Sequence, residues 1–167
     1  VSASVDLFGA DSGADFSPDG LYRYRLWRVW DPSRPILLFI LINPSKANEI
    51  TNDPTAERCQ RRAIHLGFGG MCIVNLFGLV STDPSVLKGH PDPVGPDNDD
   101  AILQGTREAG MVICGWGTPG KLRRRGEEVL ALLRSNSIQP LCLILNADGT
   151  PGHPLYIPYA QKPIPLF

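Results

Sequence analysis

Seven consecutive apolar residues, 36–42 (ILLFILI), run straight into Asn43-Pro44-Ser45, and this stretch constrains the fold more than any other. An apolar run of that length with no polar interruption predicts a strand buried on both faces, the habit of a central strand in a parallel sheet. Pro44 has no backbone N–H and ends the ladder, which leaves Asn43 and Ser45 on an open loop at the strand's carboxyl end. Open α/β sheets bind their ligands at that edge. A functional site is therefore expected to begin at Asn43.

The flanking segments supply the other parts of such a sheet. Residues 1–20 are small, polar and acidic without a period, end in Ser17-Pro18-Asp19-Gly20, and read as a flexible arm ahead of a single domain over 21–167. Leu21 to Trp30 alternates imperfectly, with Leu21, Arg23, Arg25, Trp27 and Val29 on one side and Tyr22, Tyr24, Leu26, Arg28 and Trp30 on the other. Its β-formers predict an antiparallel strand that turns at 31–35 into the central strand as its hairpin partner. Asp53-Pro54-Thr55 has the form of a helix start, Asp as N-cap and Pro in the first turn, for a helix closed by Gly67. Residues 71–75 predict a second buried strand, again ending in Asn, at Asn75.

Beyond it, 78–97 reads as a long loop, 96–109 as a helix, 111–116 as a third parallel strand, 119–136 as a helix and 141–145 as a fourth strand. The tail from Asn146, punctuated by five prolines, is expected to wrap the surface without regular structure. Alternating strands and helices predict a three-layer α/β/α sandwich with a mostly parallel four-stranded central sheet, plus the N-terminal antiparallel strand.

Composition narrows the function classes. With 16 basic against 17 acidic residues, the chain lacks the overall positive charge that drives sequence-blind binding to nucleic acid, although a local basic patch stays open. Cys59, Cys72, Cys114 and Cys142 form no C-x-x-C pair and read as buried thiols in a reducing compartment, with no metal site. No apolar run approaches the roughly 18 residues of a membrane span and no signal-peptide pattern opens the sequence, so a cytoplasmic protein without membrane contact is expected.

Taken together, the strand ends give Asn43-Pro44-Ser45, Asn75-Leu76-Phe77, Trp116-Gly117 and, after the last strand, His153-Pro154-Leu155-Tyr156. In that order they resemble the uracil-DNA glycosylase superfamily over roughly 36–158. The resemblance implies that the first loop positions a water, that an Asn at the second strand end reads a base edge, and that the His-Pro motif supplies a catalytic His. The wider set, which adds Asp53-Pro54-Thr55, Thr82-Asp83-Pro84 and 95–98 (GPDN), is similar to the bacterial and phage family labelled domain of unknown function 1643. That label carries no activity.

These resemblances imply catalytic roles for Asn43 and His153 and substrate binding by Ser45, Asn75, Phe77 and Tyr156, while Arg58, one turn into the helix that faces the Asn43 loop, is a substrate-binding candidate through a phosphate. An Asn amide both donates and accepts, Phe77 could stack on a ring, and His153 could meet charge building on a base. Asn43 cannot act as a base, so its part is limited to orienting water. The pattern also departs from the glycosylases after the His-Pro pair, where Leu155 replaces the usual Ser.

Plainer roles compete at several positions: helix caps for Asp53 and Asp83, a core site for Trp116, a pairing of Arg58 with Asp53, and a solvated face for Lys121 and Arg123 to Arg125. The leading reading is a glycosylase-like protein that handles a modified nucleobase or nucleotide in DNA, up to hydrolysis of an N-glycosidic bond, with no cofactor. A non-catalytic nucleotide- or nucleic-acid-binding module on the same fold is the alternative. A metal-dependent hydrolase using Asp53, Asp83, Asp97 and Asp99 comes third.

Overall fold

Residues 36–41 do form an interior strand, flanked on both edges by parallel neighbours. The structure is a computed structural model that describes residues 2–5 and 11–167, the first four as backbone only. In chain order the strands are β1 (Ser2–Val5), β2 (Asp11–Phe16), β3 (Arg23–Val29), β4 (Ile36–Leu41), β5 (Gly70–Asn75), β6 (Met111–Cys114), β7 (Leu141–Cys142) and β8 (Ile164–Pro165). The helices are α1 (Pro54–His65), α2 (Pro84–Gly89), α3 (Asn98–Glu108) and α4 (Arg125–Ser135), with 3₁₀ turns at Thr118–Arg124 and Pro154–Tyr156.

Among the described residues one sheet holds eight strands in the order β1-β2-β3-β5-β4-β6-β7-β8. The pairs β4/β5, β4/β6 and β6/β7 are parallel, and the pairs outside them are antiparallel. Alternate residues of the central strands point to opposite faces, as strand geometry requires. Leu38, Ile40, Cys72 and Val74 meet Ala101 and Ile102 of α3 and Val129 and Leu133 of α4. Leu37, Phe39, Leu41, Met71 and Ile73 meet Ala56, Cys59 and Ala63 of α1. Helices thus cover both faces, and all four cysteines are buried free thiols.

Several expectations are corrected. The sheet is mixed and twice as wide as the four strands read from the apolar runs, because polar and Pro-containing segments also pair at its edges. The arm expected over 1–20 contributes β1 and β2, while residues 1 and 6–10 of it lie outside the described residues. The strand after it is not a hairpin partner of β4. Both edges of β4 are occupied, and β3 pairs instead with the outer edge of β5.

The long loop after β5 contains α2, capped by the Asp83 carboxylate through Ser85 N–H at 2.9 Å. The helix expected over 119–136 begins only at Arg125: Leu122 is extended, and Arg123 and Arg124 have φ of 55° and 54°. The break turns Arg125 inward, where Nε donates to the Leu76 carbonyl at 2.8 Å and the guanidinium pairs with Asp99 and Glu128. Strand β7 is shorter than the predicted 141–145, and the tail is not free of regular structure, since β8 pairs with β7. No helix among the described residues is long and apolar enough to cross a membrane.

Candidate functional site

Parallel pairing of β4 with β5 continues past the strand ends, with Leu76 N–H donating to Leu41 O at 2.9 Å and Phe77 N–H to Ile42 O at 3.0 Å. This brings Asn43 and Asn75 to the same edge. The Asn43 Nδ2 donates to Ser81 O at 2.9 Å and Pro44 O at 3.0 Å, so its amide hydrogens tie two loops together. Its Oδ1 is the atom left to serve a ligand, as an acceptor. Behind Asn75 the backbone is clamped by the buried Asn98, whose Nδ2 donates to Asn75 O at 2.8 Å and Leu76 O at 3.0 Å. That is the task of the 95–98 motif.

His153 arrives from the far end of the sequence. Gly117 N–H donates to Pro151 O and Gly152 N–H to Ile144 O, each at 2.8 Å, and these bonds dock the segment beside β6. A Cβ on Gly115 would lie 3.0 Å from the Pro154 ring and 3.2 Å from Gly152 O, so the His-Pro turn approaches β6 as closely as glycine permits. The Leu155 N–H donates to His153 Nδ1 at 3.2 Å, which places the proton of the neutral imidazole on Nε2. Burial lowers the His153 pKa below its ordinary value, with the Asp53 charge opposing the shift.

Asp53 caps α1, Oδ1 accepting from Ala56 N–H at 2.8 Å. Its other oxygen accepts only a long contact of 3.4 Å from Ala47 N–H.

Arg23 reaches this edge because β3 runs antiparallel to β5, so its first residue lies beside the end of β5. Strict alternation would put Arg23 on the face of Arg25 and Trp27, whose side chains meet with the guanidinium 5.4 Å from the indole centroid. A bulge prevents this. Asp15 pairs with Arg25 and Phe16 with Arg23, leaving Tyr24 as the extra residue, and Tyr24 packs into the cluster on the α3 and α4 side. Bulges re-aim side chains in this way beside functional sites. Arg23 is 3 % exposed, and its Nη1 donates to Ala47 O at 3.0 Å.

These residues share one cavity of about 50 Å³, lined by Arg23, Asn43, Ser45, Asp53, Asn75 and His153, with Leu41, Thr55 and Ile73 completing the wall. Two of its lining residues also carry a buried donor without a partner, Asn75 Nδ2 and Arg23 Nε. An orphaned buried N–H costs about 1–3 kcal/mol, and Arg25, Arg58 and Arg62, which do not line this cavity, also have a buried Nε without a partner.

Of the seven site residues expected from the sequence, the cavity gathers Asn43, Ser45, Asn75 and His153. Phe77 does not join them: it is fully buried in the cluster against α3 and α4. Arg58 neither faces the cavity nor pairs with Asp53. Its Nη2 donates to Ile157 O at 2.5 Å and its guanidinium lies 3.9 Å from the centroid of Tyr159. Tyr156 is 89 % exposed, pointing to solvent from the turn that holds His153.

The sequence reading missed Arg23 and Thr55 and gave Asp53 a cap role first, with metal-dependent hydrolysis as a third reading. The irregular alternation of 21–30 and the Asp-Pro-Thr motif were the available signals. Trp116 is buried in the core, at 2 % exposure.

A larger cavity of about 340 Å³ lies between the Thr118–Arg124 turn, the start of α4 and the 148–151 loop. Its charged groups satisfy one another, Lys121 with Asp148 at 3.3 Å and Arg124 with Glu127 at 2.7 Å. Arg125 is paired internally and Arg123 donates to His90 O at 2.7 Å, while Lys121 and Arg124 stay exposed beside Asp148 and Glu127. Among the described residues no three His, Cys, Asp or Glu side chains come together in a way that could hold a metal ion.

A family model described as Protein of unknown function (DUF1643) matches residues 23–155 of the 167. It opens at Arg23 and closes just past His153, so it spans the lining of the cavity. Searches of curated proteins and of solved structures return no match.

Proposed function

We propose that this chain, which belongs to the DUF1643 family, is a glycosylase-like protein whose cavity receives the edge of a nucleobase and supports cleavage of its N-glycosidic bond. One observation carries the reading: a buried Asn75 Nδ2 without a protein partner, at the carboxyl edge of a parallel strand pair, in a cavity shared with Asn43, Ser45 and His153. A parallel run, β5-β4-β6-β7, within the mixed sheet and helices on both faces support the reading, because ligands sit at the carboxyl edge of such strands. Size adds a restriction. About 50 Å³ corresponds to roughly four water-sized positions, enough for the polar edge of a ring and not for a whole base.

The groups divide the chemistry between them. Asn43 Oδ1 orients a water, and the Asp53 carboxylate accepts its proton. The water oxygen bonds to the sugar carbon as the carbon–nitrogen bond breaks. The electron pair leaves with the base, where Asn75 Nδ2 and His153 Nε2 meet the developing charge. Incubating the protein with duplexes carrying uracil, hypoxanthine or hydroxymethyluracil tests this: free base should appear in the supernatant. Binding without release would leave a base-binding module, and neither binding nor release would remove the reading.

A further inference from the structure

We propose that Arg23 reads an oxo oxygen on the bound ring, so that the cavity selects uncharged, oxo-substituted bases over the same rings without that oxygen. The inference rests on the base-binding reading and names the substrate class of that site. Arg23 is a buried guanidinium with no carboxylate within ion-pairing distance among the described residues, and its one protein hydrogen bond leaves Nε without an acceptor. A planar guanidinium presents N–H groups in fixed directions and has no acceptor of its own. The group it awaits must therefore accept. Asn75, a lining residue from a different strand, likewise has a buried donor, Nδ2, without a partner.

Charge decides which acceptor. The ionisable side chains lining the cavity are Arg23, Asp53 and His153, and burial favours the neutral form of His153. Arg23 and Asp53 then balance. An anionic carboxylate or phosphate would bring an unbalanced charge against Asp53 in a desolvated space, which is costly, whereas a carbonyl oxygen brings none. A ring oxo group is thus the acceptor that satisfies both donors without disturbing the balance. Any phosphate of the ligand stays outside the cavity.

The test compares uracil against pyrimidine and hypoxanthine against purine, pairs that differ by oxo oxygens and the ring N–H that accompanies each, by calorimetry on the wild-type protein and on Arg23→Gln and Arg23→Lys, whose loss of preference isolates the oxo contact. The wild type should favour the oxo member of each pair by about tenfold or more, because a site built to pair a polar group rejects the analogue lacking it. In either variant the preference should fall below about threefold. Inorganic phosphate should not compete with uracil.

A second readout needs no variant: the ¹⁵N resonance of the Arg23 Nε–H should move on adding uracil and stay in place on adding pyrimidine. Retention of the oxo preference in a folded variant, absence of it in the wild type, an unmoved Nε–H, or competition by phosphate would each overturn the inference while base binding stands. If none of the four bases binds, the base-binding reading falls and this inference with it.

Discussion

At residue scale Asn75 combines a place in the cavity lining with a buried donor that the fold leaves unsatisfied. Its Nδ2 is buried without a partner, so it works against stability while serving a ligand. Replacing it by leucine, similar in volume and apolar, removes that cost: Asn75→Leu is expected to be as stable as the wild type or up to about 1 kcal/mol more so in urea unfolding, while losing base binding. A loss of stability would mean that Asn75 is a structural residue.

His153 carries the opposite kind of information. Its folded pKa lies below the ordinary imidazole value of about 6.5, so the neutral form is favoured in the fold. Stability is therefore full above that value and declines as pH falls through the lowered one, where protonation would set an N–H on Nδ1 against the Leu155 N–H it now accepts from. Thermal melts from pH 8 to pH 5 should show a fall below about pH 6.5 that is reduced in His153→Gln.

At the scale of elements, α1 shows how one residue holds a structural and a chemical post together. Asp53 caps the helix through Oδ1, has its other oxygen only loosely engaged, and lines the cavity. The two tasks separate by substitution. Asn caps a helix about as well as Asp, so Asp53→Asn should melt within roughly 0.5 kcal/mol of the wild type yet lose base release by about a hundredfold or more. Asp53→Ala should lose the same activity and about 1 kcal/mol of stability besides. Equal activity in wild type and Asp53→Asn would remove the carboxylate from the chemistry.

The same element marks the boundary of what the sequence reveals. The cap of α1 is local, and Asp-Pro-Thr declares it; the cavity-facing role depends on Arg23 and His153, remote in sequence, and no local pattern shows it. Strands β4, β5 and β6 were legible because burial on both faces leaves continuous apolar runs. The α4 boundary was not, because apolar spacing survives across Leu122 while two arginines adopt positive φ so that Arg125 can reach Leu76 O. Arg23 was hidden by the Tyr24 bulge, which inverts the face that alternation assigns. Phe77 was misread because it follows a strand end in sequence but turns back into the core.

At the scale of the whole molecule, the last residues hold the architecture together. Arg62, fully buried on α1, has no carboxylate within ion-pairing distance among the described residues. Its guanidinium donates to Ile157 O at 2.6 Å, Pro158 O at 3.2 Å and Gln161 O at 3.4 Å. Arg58 shares Ile157 O, and both cations lie over the Tyr159 ring, at 3.9 and 5.3 Å. Further on, β8 covers the free edge of β7, and Phe167 lies under Arg134 at 3.9 Å.

The tail thus solvates two guanidiniums with backbone carbonyls and an aromatic face, and seals a sheet edge that would otherwise expose unpaired backbone. Removing residues 158–167 takes away Pro158 O, Gln161 O and the Tyr159 ring while sparing Ile157 and His153. Arg62 loses two carbonyl partners and the aromatic ring beside it, contacts that water must replace. The shortened chain should unfold with about 2–4 kcal/mol less stability, seen as a lower urea midpoint with a little-changed slope. Restoring stability by Arg62→Met in the truncated chain would trace the loss to the stranded guanidinium; no recovery would place it at the exposed edge of β7.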